Sequence, residues 1–454
     1  MTPADIVLAC IDTFLKYYYP VAPIVSERML KLSAGLLFGS AARANALWDE
    51  TETSRQIQCM RQFALLAAVC ANTVVRALAG VIANATNLCS QFLRASRQTL
   101  SLYLDYDLEH PDSTSLVTRA LISGCLQHLT GKTGAAWHVH GETSLLAVRL
   151  RLFREEMVHR EDSMESHFLR TCFWLLYISD KAAATVGNRP IVINEALFDD
   201  EMTTMPCHEH NCPAQLLASD SPIYTQEEYY RLFDGFNMIR RVWSSAAELV
   251  IGLRNLQRRI ARNELSDQDV TLFKTRLTGE AFSFFHILDE APHGLLVTHH
   301  YSDGQITDFA GALELQKASV LTVFHCSRLL IVQQCILSGM PEVMGLNNHE
   351  LTLAMWKLEV AHDFVRVLET TDFLYLQLQG EPGVRLSYHS TNAYFARGTL
   401  TYNFSFTGRT ASSRWRQLAR NSAESRGQCS QDEGTRLLQQ IAGCSYQARL
   451  QSLG

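Results

Sequence analysis

The chain has 454 residues, of which 47% are hydrophobic and 19% are charged, and its formal net charge is −6. The length suffices for two or three packed units or for one large helical array. A chain that binds nucleic acid unaided usually carries a basic face, and the overall charge supplies none. Only 24 glycines and 11 prolines occur, which argues against a sheet-rich architecture with dense turns.

The N-terminal elements are predicted to be helical. Apolar residues at helical spacing indicate a helix over 3–18, which Pro20 ends. An extended link over 21–25 then leads into a second helix that begins at Ser26. The interval 55–103 has the pattern of one long helix or of two consecutive helices.

An apolar stretch over 63–85 is long enough to span a bilayer. Arg76 lies near its centre, where a charge is costly in lipid, and Asn72 and Asn84 flank it. The stretch is also rich in alanine. We therefore predict a buried core helix and no membrane association.

Helical spacing continues through the rest of the chain. Helices over 116–129 and 135–156 are predicted to form a hairpin around the turn at 131–134. A loop of mixed composition covers 194–224. The other expected helices cover 167–185, 225–262, 266–288, 308–338, 347–371 and 387–402. The fold class predicted from this pattern is all-α, a large multi-helix array of packed helical hairpins.

The composition changes beyond residue 406, where Ser, Arg, Gln and Gly dominate. This change predicts a flexible C-terminal tail with a short helix over 432–451. The basic residues of the tail have three interpretations: a solvated, disordered linker, a weak import signal, or a contact with nucleic acid. They are Arg409, Arg414, Arg416, Arg420 and Arg426.

The most informative stretch covers 168–190 and reads FLRTCFWLLYISDKAAATVGNRP. Helical geometry places its aromatic residues on one face, where they are expected to be buried. Gly187 suits the C-terminus of this helix, and Pro190 stops its continuation. Because a turn separates them, we expect Asp180 and Arg189 to pair and to fix the turn against the helix. The alternative is that the aromatic face lines a pocket for a ligand or partner.

This stretch resembles the signature of the fungal-specific transcription factor domain, the middle homology region of zinc-cluster regulators. In the signature, Lys181 stands where the family prefers Arg, and Asn188 interrupts Gly-Arg-Pro. The matching positions are Arg170, Phe173, Trp174, Tyr177, Asp180, Gly187, Arg189 and Pro190.

The resemblance extends over about 10–250. The preceding hairpin departs from the family at Leu145 (usually Arg), Arg151 (usually Gly) and Phe153 (usually His). An acidic loop that closes on a proline follows the signature in the family. The other matching positions are Asp12, Phe14, 17–23, 63–71, Trp137, Gly141, Ala147, Arg154, Glu155, Asp199, Asp200, Met205 and Pro206.

The resemblance implies a division into three parts. These are a regulatory domain at 1–260, a helical extension packed on it at 261–405, and the tail at 406–454. It also implies a nuclear protein that regulates genes transcribed by RNA polymerase II, for example those of a metabolic or secondary-metabolite pathway. The implied partners are co-regulator proteins and a small-molecule effector, with DNA reached only through another module or a partner.

The zinc cluster of these regulators needs six cysteines arranged around C-x2-C pairs, and none of the twelve cysteines here forms such a pair. We therefore expect no cofactor in this chain. The first alternative function is a stand-alone interaction protein that pairs with an intact regulator. The cysteines fall mostly in apolar runs, which indicates free thiols in a reducing compartment.

Other candidate chemistry is weaker. Residues 206–213 hold Cys207, His208, His210 and Cys212, which form either a surface loop, our prediction, or a metal site. The Gly131-Lys132-Thr133 run has the wrong glycine spacing for a phosphate-binding loop. Neither an HExxH nor a GxSxG motif appears. A helical enzyme is the second alternative, and we expect no catalytic activity.

Overall fold

A computed structural model of the protein describes residues 2–38, 53–76, 85–130, 133–187, 189–208, 212–213, 223–297 and 308–379. Every regular element in these ranges is a helix, which confirms the predicted all-α class. The helices expected at 387–402 and 432–451, and the tail, lie outside the described residues.

Fourteen α-helices occur within the described ranges, together with short 3₁₀ turns. They are α1 Pro3–Tyr17, α2 Glu27–Phe38, α3 Thr53–Arg76, α4 Ala85–Leu102, α5 Leu104–Glu109, α6 Ser113–Thr130, α7 Thr133–Arg149, α8 Glu155–Val158, α9 Ser163–Gly187, α10 Gln226–Ala261, α11 Asp267–Phe285, α12 Asp308–Leu337, α13 Glu350–Thr370 and α14 Phe373–Leu378.

Most predicted elements are confirmed within a few residues. The 55–103 interval contains two consecutive helices, α3 and α4. The prediction of one helix over 135–156 is wrong, because α7 ends at Arg149 and the chain turns before α8. In this turn the N–H of Leu152 donates to the carbonyl of Ala147 at 3.1 Å, and Arg151 has a positive φ of 52°.

The chain divides into two compact units. Among the described residues, unit 1 contains those up to Leu176 together with Ile193–Phe233, and unit 2 contains Tyr177–Val192 together with those from Asp234 onward. The division at residue 260, inferred from the family resemblance, stays a prediction.

Helix α3 is the centre of unit 1, where it packs against α1, α2, α4 and α6, while α6 and α7 form the predicted hairpin. Its small apolar residues, such as Ala64, Ala68 and Ala71, are fully buried and allow the neighbouring helices to approach closely. Segments 55–76 and 309–337 have the length and apolar composition of a membrane span, and 72% and 56% of their windows are buried in the protein. The burial of α3 is that of a core helix.

In unit 2, α12 packs against α13 and α14. Two glycines of α10 allow close contacts within this unit. A Cβ added at Gly252 would lie 2.7 Å from Leu277, and one added at Gly235 would lie 2.4 Å from the side chain of Gln316. Because real Cβ atoms do not approach other heavy atoms so closely, a larger residue at either position would displace its neighbour.

Candidate functional site

Helix α9 carries the residues that the sequence singled out. Its first part belongs to unit 1 and its last part to unit 2. The signature side chains on its body are buried, with at most 4% of their surface exposed. They are Arg170, Phe173, Trp174, Tyr177 and Asp180. Such burial suits residues that hold the fold together.

In unit 1, the signature helix holds the backbone of Met205. The guanidinium of Arg170 pairs with the carboxylate of Glu155, at the start of α8. Glu155 Oε2 also accepts the N–H of Met205 at 2.8 Å, and Trp174 Nε1 donates to the carbonyl of Met205 at 2.9 Å. The backbone N–H and carbonyl of Met205 are therefore both satisfied, by Glu155 and by the signature residue Trp174, two residues that match the family. Phe173 packs edge-to-face on Trp174, with ring centroids 5.2 Å apart.

The chain around Met205, residues 198–206, is hereafter the acidic loop. The backbone of this loop is hydrogen-bonded to the turn after α7. The N–H groups of Thr203 and Thr204 donate to the carbonyl of Phe153 at 2.9 and 3.1 Å. The hydroxyl of Thr203 accepts the N–H of Glu155 at 3.0 Å. The rings of Phe153 and Phe198 stack at 4.1 Å. Three of the segments that match the family in sequence, the turn after α7, the signature helix and the acidic loop, thus meet in one cluster.

Two exposed ion pairs add to this connection. Arg151 lies 2.7 Å from Asp199, and Arg154 lies 3.0 Å from Asp200. The exposed side chains of the first pair limit its contribution to roughly 0–1 kcal/mol. In these pairs two of the acidic residues of the loop, Asp199 and Asp200, face arginines of the turn after α7.

Arg151 occupies a backbone position that favours glycine. Its φ of 52° lies in the left-handed region, which costs a residue with a Cβ roughly 1–2 kcal/mol. The usual glycine of the family avoids this cost. The ion pair with Asp199 offsets part of it here.

We expect the Arg151→Gly variant to be more stable than Arg151→Ala by about 1 kcal/mol. Both variants lose the ion pair, but only alanine keeps the strained Cβ. Chemical denaturation of the two proteins, followed by circular dichroism, measures the difference. An alanine variant as stable as the glycine variant would show that the turn is not strained.

In unit 2, the end of the signature helix holds the segment that follows it. The carboxylate oxygens of Asp180 lie 3.2 and 3.0 Å from the N–H of Val192, which donates to them. The N–H of Arg189 donates to the carbonyl of Ala183 at 3.3 Å. Helix α9 ends at Gly187, as predicted. Pro190, beyond the end of the helix, is exposed.

The side-chain pair of Asp180 and Arg189 stays a prediction. We expect a double-mutant cycle with Asp180→Asn and Arg189→Gln to give a coupling of about 1–3 kcal/mol, the range found for residues in one network. The cycle separates this pair from the bond between Asp180 and Val192, which only the aspartate variant affects. Strictly additive losses of stability would contradict the pairing.

Within the described part of residues 206–213, Cys207 does not lie at the surface as predicted. Cys207 is fully buried, and its sulfur lies 3.3 Å from the hydroxyl of Thr171, whereas His208 is exposed. Burial raises the pKa of the Cys212 thiol to about 12, so this thiol is neutral at physiological pH. Residues 209–211, with His210, lie outside the described residues. In the described part of the chain no group of three His, Cys, Asp or Glu residues is placed to hold a metal.

Sequence reasoning missed a second buried cluster in unit 1, centred on Asp107. Its carboxylate is fully buried and receives Arg61 Nη2 at 2.8 Å, Arg119 Nη1 at 2.5 Å and the Ser115 hydroxyl at 2.7 Å. Arg61 also donates to Asp112 at 2.6 Å. The two arginines are nearly buried as well. The only signal in the sequence is an aspartate between the hydrophobic residues Tyr106 and Leu108, and its arginine partners lie 46 and 12 residues away in the chain.

A neighbouring contact caps α6 from α9. The N–H and hydroxyl of Ser113 donate to the carboxylate of Glu165 at 2.7 and 2.6 Å. Burial raises the pKa of Glu165. A carboxylate at a helix N-terminus satisfies free N–H groups and interacts favourably with the helix dipole. All these arrangements bind backbone and side chains of the chain itself; within the described residues they form no recognised catalytic constellation.

Residues 11–221 match the model of a family described as the fungal specific transcription factor domain. The match confirms the resemblance and begins where predicted, but it ends before the predicted limit near residue 250. It includes the turn after α7, the signature helix and the acidic loop. Neither a curated protein nor a solved structure matches the chain.

Proposed function

Residues 11–221 are a fungal specific transcription factor domain, and from this premise we propose that the chain is a regulatory module that controls genes transcribed by RNA polymerase II in the nucleus. It does so by binding a co-regulator protein or a small effector. The single observation that carries the proposal is the family match, which includes every signature residue. The function is regulatory and not enzymatic.

The interior position of the signature supports this proposal. The side chains of Arg170, Trp174 and Asp180 form hydrogen bonds to neighbouring segments of the chain, and these bonds hold those segments in place. A domain of this kind acts through its surface, on which partners dock. We therefore propose that the signature maintains the fold and that recognition lies elsewhere on the domain.

A tethering experiment tests the proposal. The chain is fused to a heterologous DNA-binding module and expressed with a reporter gene that carries the matching site. We expect reporter output to change several-fold relative to the module alone, and the change to disappear in Trp174→Ala. The Asp199→Asn variant, which alters only an exposed ion pair, is the matched control and should retain the change. Unaltered output at equal nuclear protein levels would contradict a regulatory role.

The absence of a C-x2-C pair from the sequence favours one second candidate. In it, the chain pairs with an intact regulator and modifies that regulator's activity. Expressing the untethered chain beside an intact zinc-cluster regulator distinguishes the two. If the untethered chain changes the expression of the regulator's target genes, this result supports the hypothesis that the chain acts by pairing with the regulator.

We also expect that the isolated chain does not read DNA sequence. Its net charge is −6 and it has no C-x2-C pair. Any binding should be non-specific and should fall steeply with salt, because it would rest on counterion release. Titration against random and promoter-derived duplexes at low and physiological salt measures this. A preference of about a thousandfold, the lower end for specific regulators, would show that the helical domain itself recognises DNA.

A further inference from the structure

Helices α4 and α6 of unit 1 pack against each other, and an open cleft of about 450 Å³ lies at the surface beside them. One side of α4 supplies most of its lining, and the last turn of α6 supplies the rest. The apolar part of the lining is Leu93, which is nearly buried, and Leu129. The polar part consists of Ser90, Arg94, Arg97, Gln98 and Ser101. This site is hereafter the α4–α6 cleft.

The only charges that line the α4–α6 cleft, among the described residues, are two arginines. Arg94 and Arg97 are both exposed, and side chains three residues apart lie on the same face of a helix. Neither arginine forms an ion pair in the part of the chain that the structure describes. Guanidinium groups bind carboxylates and phosphates through charge-assisted hydrogen bonds. The cleft is therefore suited to an anionic ligand.

The sequence keeps acidic residues out of both helices that line the cleft. The chain contains 46 Asp and Glu residues, but none lies within 85–102 or 113–130. Exposed helix faces commonly carry charges of both signs, which pair with each other. In α4 the two arginines are the only charged residues. Within a chain of net charge −6, this local excess of positive charge indicates that a partner supplies the negative charge.

The lining favours an acidic protein segment over nucleic acid as the partner. Leu93 and Leu129 lie beside the arginines, and a protein segment can pack an aliphatic side chain against them. Phosphodiester contacts use only the charge, and the net charge of the chain opposes binding to DNA. The lining runs from Ser90 to Ser101, which corresponds to roughly 16 Å along a helix. That length accommodates about five residues of an extended segment.

We propose that the α4–α6 cleft binds a short acidic segment of a partner protein. Carboxylates of the segment pair with Arg94 and Arg97, and an aliphatic side chain between them packs against Leu129. The contacts are charge pairs at the surface, so the binding is weak and decreases with salt. This inference rests on the regulatory function proposed above, because it assigns the surface on which a co-regulator docks.

Fluorescence anisotropy of a labelled synthetic peptide, measured with the full chain, tests the proposal. The acidic probe is a short peptide in which Asp and Glu alternate with leucine. The reference probe carries Asn and Gln in place of the acids. We expect saturable binding of the acidic probe alone. The double variant Arg94→Glu, Arg97→Glu should raise its dissociation constant by at least about tenfold, because like charges then face each other.

The matched control is the double variant Arg28→Glu, Arg366→Glu. These arginines are exposed on α2 and α13, and the two double variants change the net charge equally. The control should leave the affinity for the acidic probe nearly unchanged, because distant exposed charges are screened. A third probe, with Lys in place of the acids, should bind the Arg94→Glu, Arg97→Glu variant and not the wild type. This gain of binding separates a lost contact from a loss of folding.

Several results would overturn the proposal. They are equal binding of the acidic and reference probes, an equal loss of affinity in the control, and failure of the lysine probe to bind the reversed cleft. Binding of random duplex DNA that depends on Arg94 and Arg97, without binding of the acidic probe, would assign the cleft to nucleic acid. A chain that changes the tethered reporter but does not bind the acidic probe refutes this inference alone. A chain that binds the probe but leaves the reporter unaltered refutes the regulatory function alone.

Discussion

Replacing Asp107 by asparagine is expected to lower the free energy of unfolding by about 3–5 kcal/mol, the cost of removing one partner from a buried ion pair. Asp107 is fully buried between Arg61 and Arg119. Neutralising it leaves two positive charges in unit 1 without their shared counter-charge. Asparagine keeps the size of the side chain. The loss of stability therefore measures the effect of removing the charge and not the effect of a cavity.

Denaturant unfolding of the purified chain, followed by helical circular dichroism, measures this effect. Asp199→Asn is the matched control, since Asp199 is also a carboxylate in unit 1 that pairs with an arginine, but its side chain is 58% exposed. Its loss should cost no more than about 1 kcal/mol. Equal effects of the two substitutions would show that the Asp107 cluster contributes nothing special to stability.

Replacing Trp174 by alanine is expected to cost about 3–5 kcal/mol, as for other buried aromatic residues. The indole is 2% exposed, and its N–H donates to the carbonyl of Met205. Alanine removes both the packing and this donor. The acidic loop then loses one of the two hydrogen bonds that hold the backbone of Met205.

The Trp174→Phe variant divides this effect into its parts. Phenylalanine keeps much of the ring packing but lacks the N–H, so we expect a loss of about 1–3 kcal/mol from the unsatisfied carbonyl. Hydrogen exchange at residues 203–205 should accelerate in both variants. Protection of these amides as in the wild type would mean that Trp174 does not hold the loop.

The sequence predicted elements well where the signal is local. Apolar spacing located α1, α6 and α9, and Gly187 marked the end of the signature helix. The break after Arg149 was missed because the family's usual glycine is replaced by Arg151, which carries no turn signal. The strain at that position can be recognised only from the backbone.

Contacts between distant positions could not be predicted in the same way. The prediction that Asp180 pairs with Arg189 was possible because the two residues are close in the sequence. The observed partner of Arg170 is Glu155, and Asp107 joins Arg61 and Arg119 from two other helices. Charge and hydropathy patterns say that such residues need partners, but only the packing of helices decides which partners they find.

The division into two units affects how deletion mapping of this chain should be interpreted. The polypeptide leaves unit 1 at Leu176, returns at Ile193 and leaves again after Phe233. A truncation that ends just after the signature helix would discard Met205, to which Trp174 is bonded. Activity lost in such a fragment would reflect a folding defect, and the missing segment would be mistaken for an effector region. Point substitutions on the surface are therefore the sounder way to locate activity in this protein.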